Sequence, residues 1–179
     1  MLPISDKFII KGKDLSGLQD WCIKKGYPKF RAQQLFEWMY FHGESNPQAM
    51  SNLSNDLIEN LISDCIVQTL EIEKVSSSQN ESTNKFLFKT EDNRFIETVS
   101  MIENTRHTVC ISSQIGCNLE CDFCATATMG NVRNLNTGEI IDQEITRTVY
   151  QGKFSAKHPQ HKHIEPDVHE VTMQKTICQ

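Results

Sequence analysis

The sequence predicts an α/β chain: a small N-terminal helical domain, then a β-hairpin, then the first βα unit or units of an incomplete β/α barrel. Three observations predict it. Apolar residues recur at helical spacing over residues 12–70, short runs rich in β-branched and aromatic residues take over from Lys85, and a cysteine-rich loop separates a short strand from a further helix. Strand, loop, helix is the order of a barrel's opening unit, with the reactive loop at the strand's C-terminal end.

In the helical part, Asp14 or Ser16 caps a helix over Leu15, Leu18, Trp21 and Cys22, whose spacing gathers the apolar groups on one face. Gly26, Tyr27 and Pro28 break it. A second helix covers residues 30–42, with Leu35, Phe36, Trp38 and Met39 among its apolar positions. After a turn over residues 43–47, Ser54 caps a third helix whose stripe is Leu57, Ile58, Leu61 and Ile62. Core packing is the expectation for Trp21, Phe36 and Trp38, not base stacking. Lys24, Lys25, Lys29 and Arg31 cluster around the first inter-helix turn, where lysines and backbone N–H groups can meet a phosphate backbone. A plain solvated turn is the alternative.

Residues 76–84, S-S-S-Q-N-E-S-T-N, read as a polar linker. Beyond it, the runs from Lys85 and from Arg94 flank Glu91-Asp92-Asn93, which is a hairpin by composition. A third short strand over residues 108–112 leads into the cysteine loop, and Thr137 caps a helix carrying Ile140, Ile141, Ile145 and Val149. The expected organisation is therefore a helical, RNA-binding-like domain over residues 1–75, linker and hairpin over 76–107, the barrel start over 108–150, and an atypical tail over 151–179. That tail holds His158, His161, His163 and His169 without apolar periodicity, and reads as disordered.

Composition narrows the class. The chain has 179 residues, 38% of them hydrophobic, and a net charge of -5. Its mean hydropathy is -0.44 and its pI about 5.7. It contains no apolar run of the length that spans a bilayer, and its first residues lack a signal peptide's pattern, so a cytoplasmic location is expected. Seven cysteines fit a reducing compartment better than a disulfide framework. The acidic balance does not advertise a nucleic-acid partner, though a local basic patch can still provide one.

The chemistry concentrates at Cys117, Cys121 and Cys124, spaced C-x3-C-x2-C with Phe123 just before the last. Soft thiolates select iron–sulfur clusters, zinc or copper(I). Zinc generally takes four protein ligands, whereas the local set stops at three, which suits a four-iron cluster that leaves one iron open. A zinc loop completed by a distant Cys or His is the alternative.

Cys110-Ile-Ser-Ser-Gln-Ile-Gly-Cys117, Phe123-Cys-Ala-Thr-Ala-Thr-Met-Gly130 and Arg133-Asn-Leu-Asn-Thr-Gly-Glu-Ile140 resemble one branch of the radical S-adenosylmethionine (SAM) enzymes. That branch is the adenine C2 methyltransferases of 23S ribosomal RNA and transfer RNA, and the likeness runs from about Phe8 to Tyr150. It implies a radical SAM (β/α) barrel, a 4Fe-4S cluster on Cys117, Cys121 and Cys124 in the loop that includes Phe123, and SAM on the open iron. It implies Cys110 as the cysteine that resolves a methyl-cysteine intermediate through a disulfide, and Glu97 as proton acceptor. A raised carboxyl pKa beside an apolar strand would suit Glu97 to that role. On residues alone, Cys110 reads as a buried strand cysteine and Glu97 as an outward strand charge. Implied partners are 23S rRNA, tRNA and a low-potential electron donor such as flavodoxin or ferredoxin. The family's glycine–glutamate–proline segment and its methyl-bearing cysteine have no counterpart here, and the context of Cys178 does not match the latter. The expectation is a truncated or frameshifted member without methyl transfer. The alternatives are a non-catalytic RNA-binding module with a structural metal–cysteine loop, and a fragment completed by a second chain.

Overall fold

The computed structural model describes residues 7–79, 82–104, 106–119, 121, 122, 124, 126 and 130–157, the last ten by their helical backbone alone. Asp14 starts the first helix, α1 (Leu15–Lys24), by accepting a hydrogen bond from the Gly17 N–H at 2.8 Å. That bond satisfies a backbone donor with no partner inside the helix. Helix α2 (Phe30–Phe36) continues into a π-helical turn (Glu37–Phe41), where the His42 N–H reaches back five residues to the Glu37 carbonyl at 3.0 Å. The segment expected as one helix thus widens at its end. Ser54 has the extended backbone of a cap before α3 (Asn55–Asp64), but its side chain makes no capping bond.

These elements enclose one apolar core, in which Ile10, Leu18, Leu35, Met39, Met50, Leu57 and Leu61 are fully buried. Trp21, Phe36 and Trp38 pack in or against it, as their spacing predicts. Two short strands, β1 (Phe8–Ile9) and β2 (Cys65–Ile66), pair in parallel and close the unit.

The chain then forms an antiparallel sheet in the order β3 (Leu70–Ser77), β4 (Thr83–Thr90), β5 (Phe95–Glu103), β6 (Arg106–Cys110). The β4–β5 hairpin turns at Glu91-Asp92-Asn93 as predicted, with Asn93 at φ 58°, a left-handed conformation that asparagine tolerates. Two expectations are corrected. The polar stretch from Ser76 is strand at its start: Ser76 and Ser77 pair with Lys85 and Asn84, and the Ser77 hydroxyl donates to Asn84 Oδ1 at 2.6 Å. An edge strand can be polar because both its faces meet water. The strand expected over residues 108–112 runs from Arg106 to Cys110 and pairs antiparallel with β5.

Strand alternation gives the sheet two faces. Phe86, Phe88, Ile96, Thr98 and Ser100 are buried, while Lys85, Glu97, Met101 and Cys110 are exposed on the other side. The buried face is covered by α4 (Thr137–Lys157). Asn136, not Thr137, caps α4. Its side chain accepts from the Glu139 N–H at 2.9 Å, while Glu139 accepts from the Asn136 N–H at 2.8 Å. This reciprocal box satisfies two backbone donors at once.

The inward face of α4 also departs from expectation. Glu139, Asp142, Gln143 and Arg147 are buried, whereas Ile140, Ile141 and Ile145 are only half-buried. The helix extends to Lys157, so residues 151–157, expected in the tail, are helical. Residues 158–179, with their four histidines, lie outside the described residues.

Candidate functional site

Between β5–β6 and α4, a two-stranded ribbon of β7 (Gln114–Gly116) and β8 (Asn131–Asn134) brackets the cysteine loop. Its feet meet closely. Gly116 has φ 78°, and a Cβ built there would lie 1.7 Å from the Gly130 carbonyl oxygen. The Cys117 N–H donates to that same carbonyl at 3.1 Å. Only glycine satisfies both the backbone conformation and the contact, so residue 116 fixes where the loop begins and ends.

Cys117, Cys121 and Cys124 are half-buried on this loop and stand outside any disulfide. The Leu119 N–H points to Cys117 Sγ at 3.4 Å, and the Cys124 N–H donates to the Cys121 carbonyl at 3.0 Å, a tight turn between the last two cysteines. Among the described residues, no three His, Cys, Asp or Glu side chains converge closely enough to hold a metal ion. The three thiols therefore share a loop without forming a closed ligand set. As a donor set of soft, uncrosslinked sulfurs on a loop pinned at both feet, they fit an iron–sulfur centre or zinc. Phe123 lies outside the described residues.

Two other cysteines show the contrasting environment. Cys22 and Cys65 are buried in the helical core, and burial pushes both thiols up, Cys65 to about 12 with the Asp64 carboxylate adding to the effect. Such thiols stay protonated and inert.

Cys110 ends β6 and is exposed, which overturns the reading as a buried strand cysteine. It pairs with Val99, two residues along β5 from Glu97, so Glu97 and Cys110 share the open face of the sheet. The Glu97 carboxylate lies 2.9 Å from Lys85 Nζ, with side chains 55% and 49% exposed. Glu97 is an outward, ion-paired strand charge, with Leu87 directly opposite it and Phe95 and Val99 on either side along the same face. The Ser112 hydroxyl donates to the Glu97 carbonyl at 2.8 Å and ties that strand to the chain entering the loop.

The residues that hold these pieces together were not legible from spacing. Gln143 on α4 accepts from the Thr98 hydroxyl at 2.7 Å and the Ser112 N–H at 2.8 Å, and donates to the Ser112 carbonyl at 2.8 Å. It joins β5, the entry to the loop and α4. Arg133 on β8 makes two bonds to Asp92 at 3.0 and 2.8 Å and two to Glu139 at 2.8 and 2.7 Å. The exit of the loop is thereby fixed to the β4–β5 turn and to the α4 capping box. The Arg133 guanidinium holds the Asp92 carboxyl well below the usual carboxylate range, and the two acids raise Arg133. The one sequence signal was Asn136-Thr-Gly-Glu139, a capping box by spacing.

The helical unit joins this assembly through a buried ion pair. Lys11 Nζ lies 3.1 Å from Asp142 Oδ1, both side chains fully buried, and Asp142 Oδ2 accepts from the Thr69 N–H and hydroxyl at 2.6 and 2.7 Å. Gly12 and Gly138 meet beside it, where a Cβ on Gly12 would stand 2.4 Å from the Gly138 nitrogen. In the basic turn, Lys25 pairs with Asp64 at 2.7 Å, and Arg31 donates to the Asn52 carbonyl at 2.9 Å. Part of that cluster is therefore already engaged.

Comparisons with known proteins follow this layout. Residues 10–67 match the family described as "Ribosomal RNA large subunit methyltransferase N-terminal domain". The chain is 40% identical over 145 residues to the "Probable dual-specificity RNA methyltransferase RlmN" of Staphylococcus carnosus, covering 81% of this chain and 40% of that protein. It is 39% identical over 142 residues to the protein of the same name from Natranaerobius thermophilus, covering 78% of this chain and 40% of that one. A solved structure, a radical SAM methyltransferase from Sphaerobacter thermophilus, superposes with a TM-score of 0.76 at 33% identity, over 82% of this chain and 43% of that one. The chain thus spans about two fifths of the length of these relatives.

Proposed function

We propose that this chain, which belongs over its matched residues to the family of radical SAM dual-specificity RNA methyltransferases, carries the RNA-docking domain and the cluster loop of an RNA (adenine-C2) methyltransferase. One observation carries the proposal. Cys117, Cys121 and Cys124 stand on a loop pinned at Gly116 and Gly130, and the chain enters that loop from β6, whose Cys110 shares the open sheet face with Glu97.

Cys117, Cys121 and Cys124 would hold a 4Fe-4S cluster, with Phe123 in the same loop. With SAM on its open iron, such a cluster supplies one-electron chemistry that reaches a carbon too poor in electrons for ordinary methyl transfer. The chain's own residues serve that chemistry by position. Gly116 and Arg133 fix the two ends of the loop, and Gln143 fixes its entry relative to the sheet. Glu97 would accept the proton lost from adenine C2, with Lys85 orienting its carboxylate. Cys110, exposed on the same face, would attack the sulfur of the cysteine thioether joined to adenine C2, forming an S–S bond as the S–C bond breaks, while the released carbon takes up a proton and leaves as the methyl group of the product.

Substrates of this reading are 23S rRNA and tRNA, and its reductant is a low-potential flavodoxin or ferredoxin. The (β/α) barrel is supported by the likeness to the Sphaerobacter structure. Among the described residues no helix is long and apolar enough to cross a membrane, and a cytoplasmic site of action accords with an oxygen-sensitive cluster. The proposed division keeps a helical RNA-binding unit in the first part of the chain and the cluster loop with α4 in the last.

Anaerobic incubation of the chain with iron and sulfide tests the reading. About four irons and four acid-labile sulfides per chain are expected, with the broad visible absorption of a cluster. Uptake of zinc alone would favour the structural metal loop instead, and uptake of neither would overturn the cluster assignment.

A further inference from the structure

A cavity of about 430 Å³ opens on the helical unit, away from the cysteine loop, between β1 and the outer side of α1. Its walls are Phe8, Lys13, Asp20, Trp21 and Lys24, and Gly17 leaves its floor without a side chain. The volume falls in the range of small-molecule sites, about 300–1,000 Å³. Three features set its chemistry. Phe8, which lines the cavity, is 41% exposed. The Lys13 ammonium stands 5.3 Å from that ring's centroid, so an incoming base would displace it from the ring and leave it beside the base's flanking phosphate. Lys24 lies at the far end beside Lys25, which is paired with Asp64, and Asp20 lines the groove among these basic groups on a chain whose overall charge is negative.

We propose that this groove binds one unpaired nucleotide of a single-stranded RNA segment. The base stacks on Phe8, its flanking phosphates meet Lys13 and Lys24, and the Asp20 carboxylate accepts a hydrogen bond from a base amino group. A ring face beside basic side chains is the arrangement that binds single strands with little sequence preference. This deepens the RNA-docking role proposed above and rests on it, but it moves the anchor point. The basic turn around Lys29 and Arg31 is replaced by the face of α1 as the place where a base is held. Arg31 is engaged with the Asn52 carbonyl, so that turn has less capacity left for phosphate.

The test is fluorescence anisotropy on the 179-residue chain with a labelled, unstructured RNA decamer and, separately, a labelled RNA hairpin. Phe8→Leu is expected to weaken decamer binding about tenfold, since stacking contributes about 1–3 kcal/mol per base. Lys13→Gln and Lys24→Gln are each expected to lower the salt slope by about 0.7, one phosphate contact on a single strand. Phe41→Leu, at an exposed aromatic outside the groove, is expected to leave binding unchanged, and circular dichroism verifies that each variant is folded. Equal decamer affinity in the wild type and all three groove variants overturns the groove, as does displacement of the decamer by polyglutamate at matched charge. Hairpin binding without decamer binding overturns the groove and leaves the RNA-docking role standing. Binding of neither overturns both.

Discussion

Helices α3 and α4 both carry isoleucines or leucines at helical spacing, yet they bury opposite kinds of side chain. In α3, Leu57 and Leu61 are fully buried in a core of other apolar groups. In α4 the buried positions are Glu139, Asp142, Gln143 and Arg147, at 3%, 0%, 0% and 4% exposure. Apolar contact is non-directional, so α3 can tolerate small shifts without losing much. A buried carboxylate or amide is costly unless each partner stands in place, so α4 has one position on the sheet that satisfies it. The difference falls where function needs it. The helical unit requires stability, whereas α4, with Gln143 and Glu139, sets the entry and exit of the cysteine loop.

The largest break in this comparison is Asp142→Ala. It leaves the Lys11 ammonium buried without its charge partner, and urea unfolding should report a loss of about 4 kcal/mol. Replacing both partners, Lys11→Met with Asp142→Leu, should recover the part of it owed to the unpaired charge, while the Thr69 N–H and hydroxyl still lose their acceptor. A double variant as unstable as the single one would show that shape, not charge, dominates there. Leu57→Ala, the counterpart in α3, should cost about 3 kcal/mol through lost burial and the cavity left behind. It should leave cluster uptake unchanged wherever the chain is still folded.

These residues also mark how far the sequence could be read. Periodicity found α1 and α3, because their stripes face a single apolar core, and it found the hairpin, because Glu91-Asp92-Asn93 announces its own turn. It served α4 only in part, since Ile140 packs half-buried against the sheet's core while Glu139, Asp142, Gln143 and Arg147 are more deeply buried. Partners for Asp142 and Gln143 come from Lys11, Thr69, Thr98 and Ser112, all distant in sequence, and local patterns carry no record of them. At the site, the cysteine spacing was legible because three ligands lie on one loop. Glu97 as an outward strand charge was legible too, whereas its ion pair was not, since Lys85 stands on the neighbouring strand β4.

A smaller effect sharpens the polar side of the comparison. Asp92 is held below the usual carboxylate range by Arg133 and, to a lesser degree, by Thr90. A depressed folded-state value contributes stability above the unfolded value near pH 4, and that contribution is lost as the pH falls further. Asp92→Asn should therefore cost up to about 1 kcal/mol at neutral pH, a modest figure because the pair is partly exposed. The gap from wild type should narrow as the pH drops below about 4. A gap that does not change with pH would remove Arg133 from the account of the loop's exit.

Thiol chemistry gives the mildest test. Brief alkylation of the metal-free native chain at pH 8, mapped by mass spectrometry, should modify Cys110, Cys117, Cys121 and Cys124 and spare Cys22 and Cys65. Labelling of Cys65 at the same rate as Cys117 would mean that the helical core opens far more readily than its packing implies.

The most direct measurement is iron and acid-labile sulfide content after anaerobic reconstitution of single cysteine variants. Cys117→Ala, Cys121→Ala and Cys124→Ala should each lose most of the cluster. Cys65→Ala and Cys110→Ala should retain it, because neither sulfur lies on the loop between Gly116 and Gly130. Full iron and sulfide content in any of the three loop variants would contradict the assignment of that cysteine as a ligand, and with it the central claim.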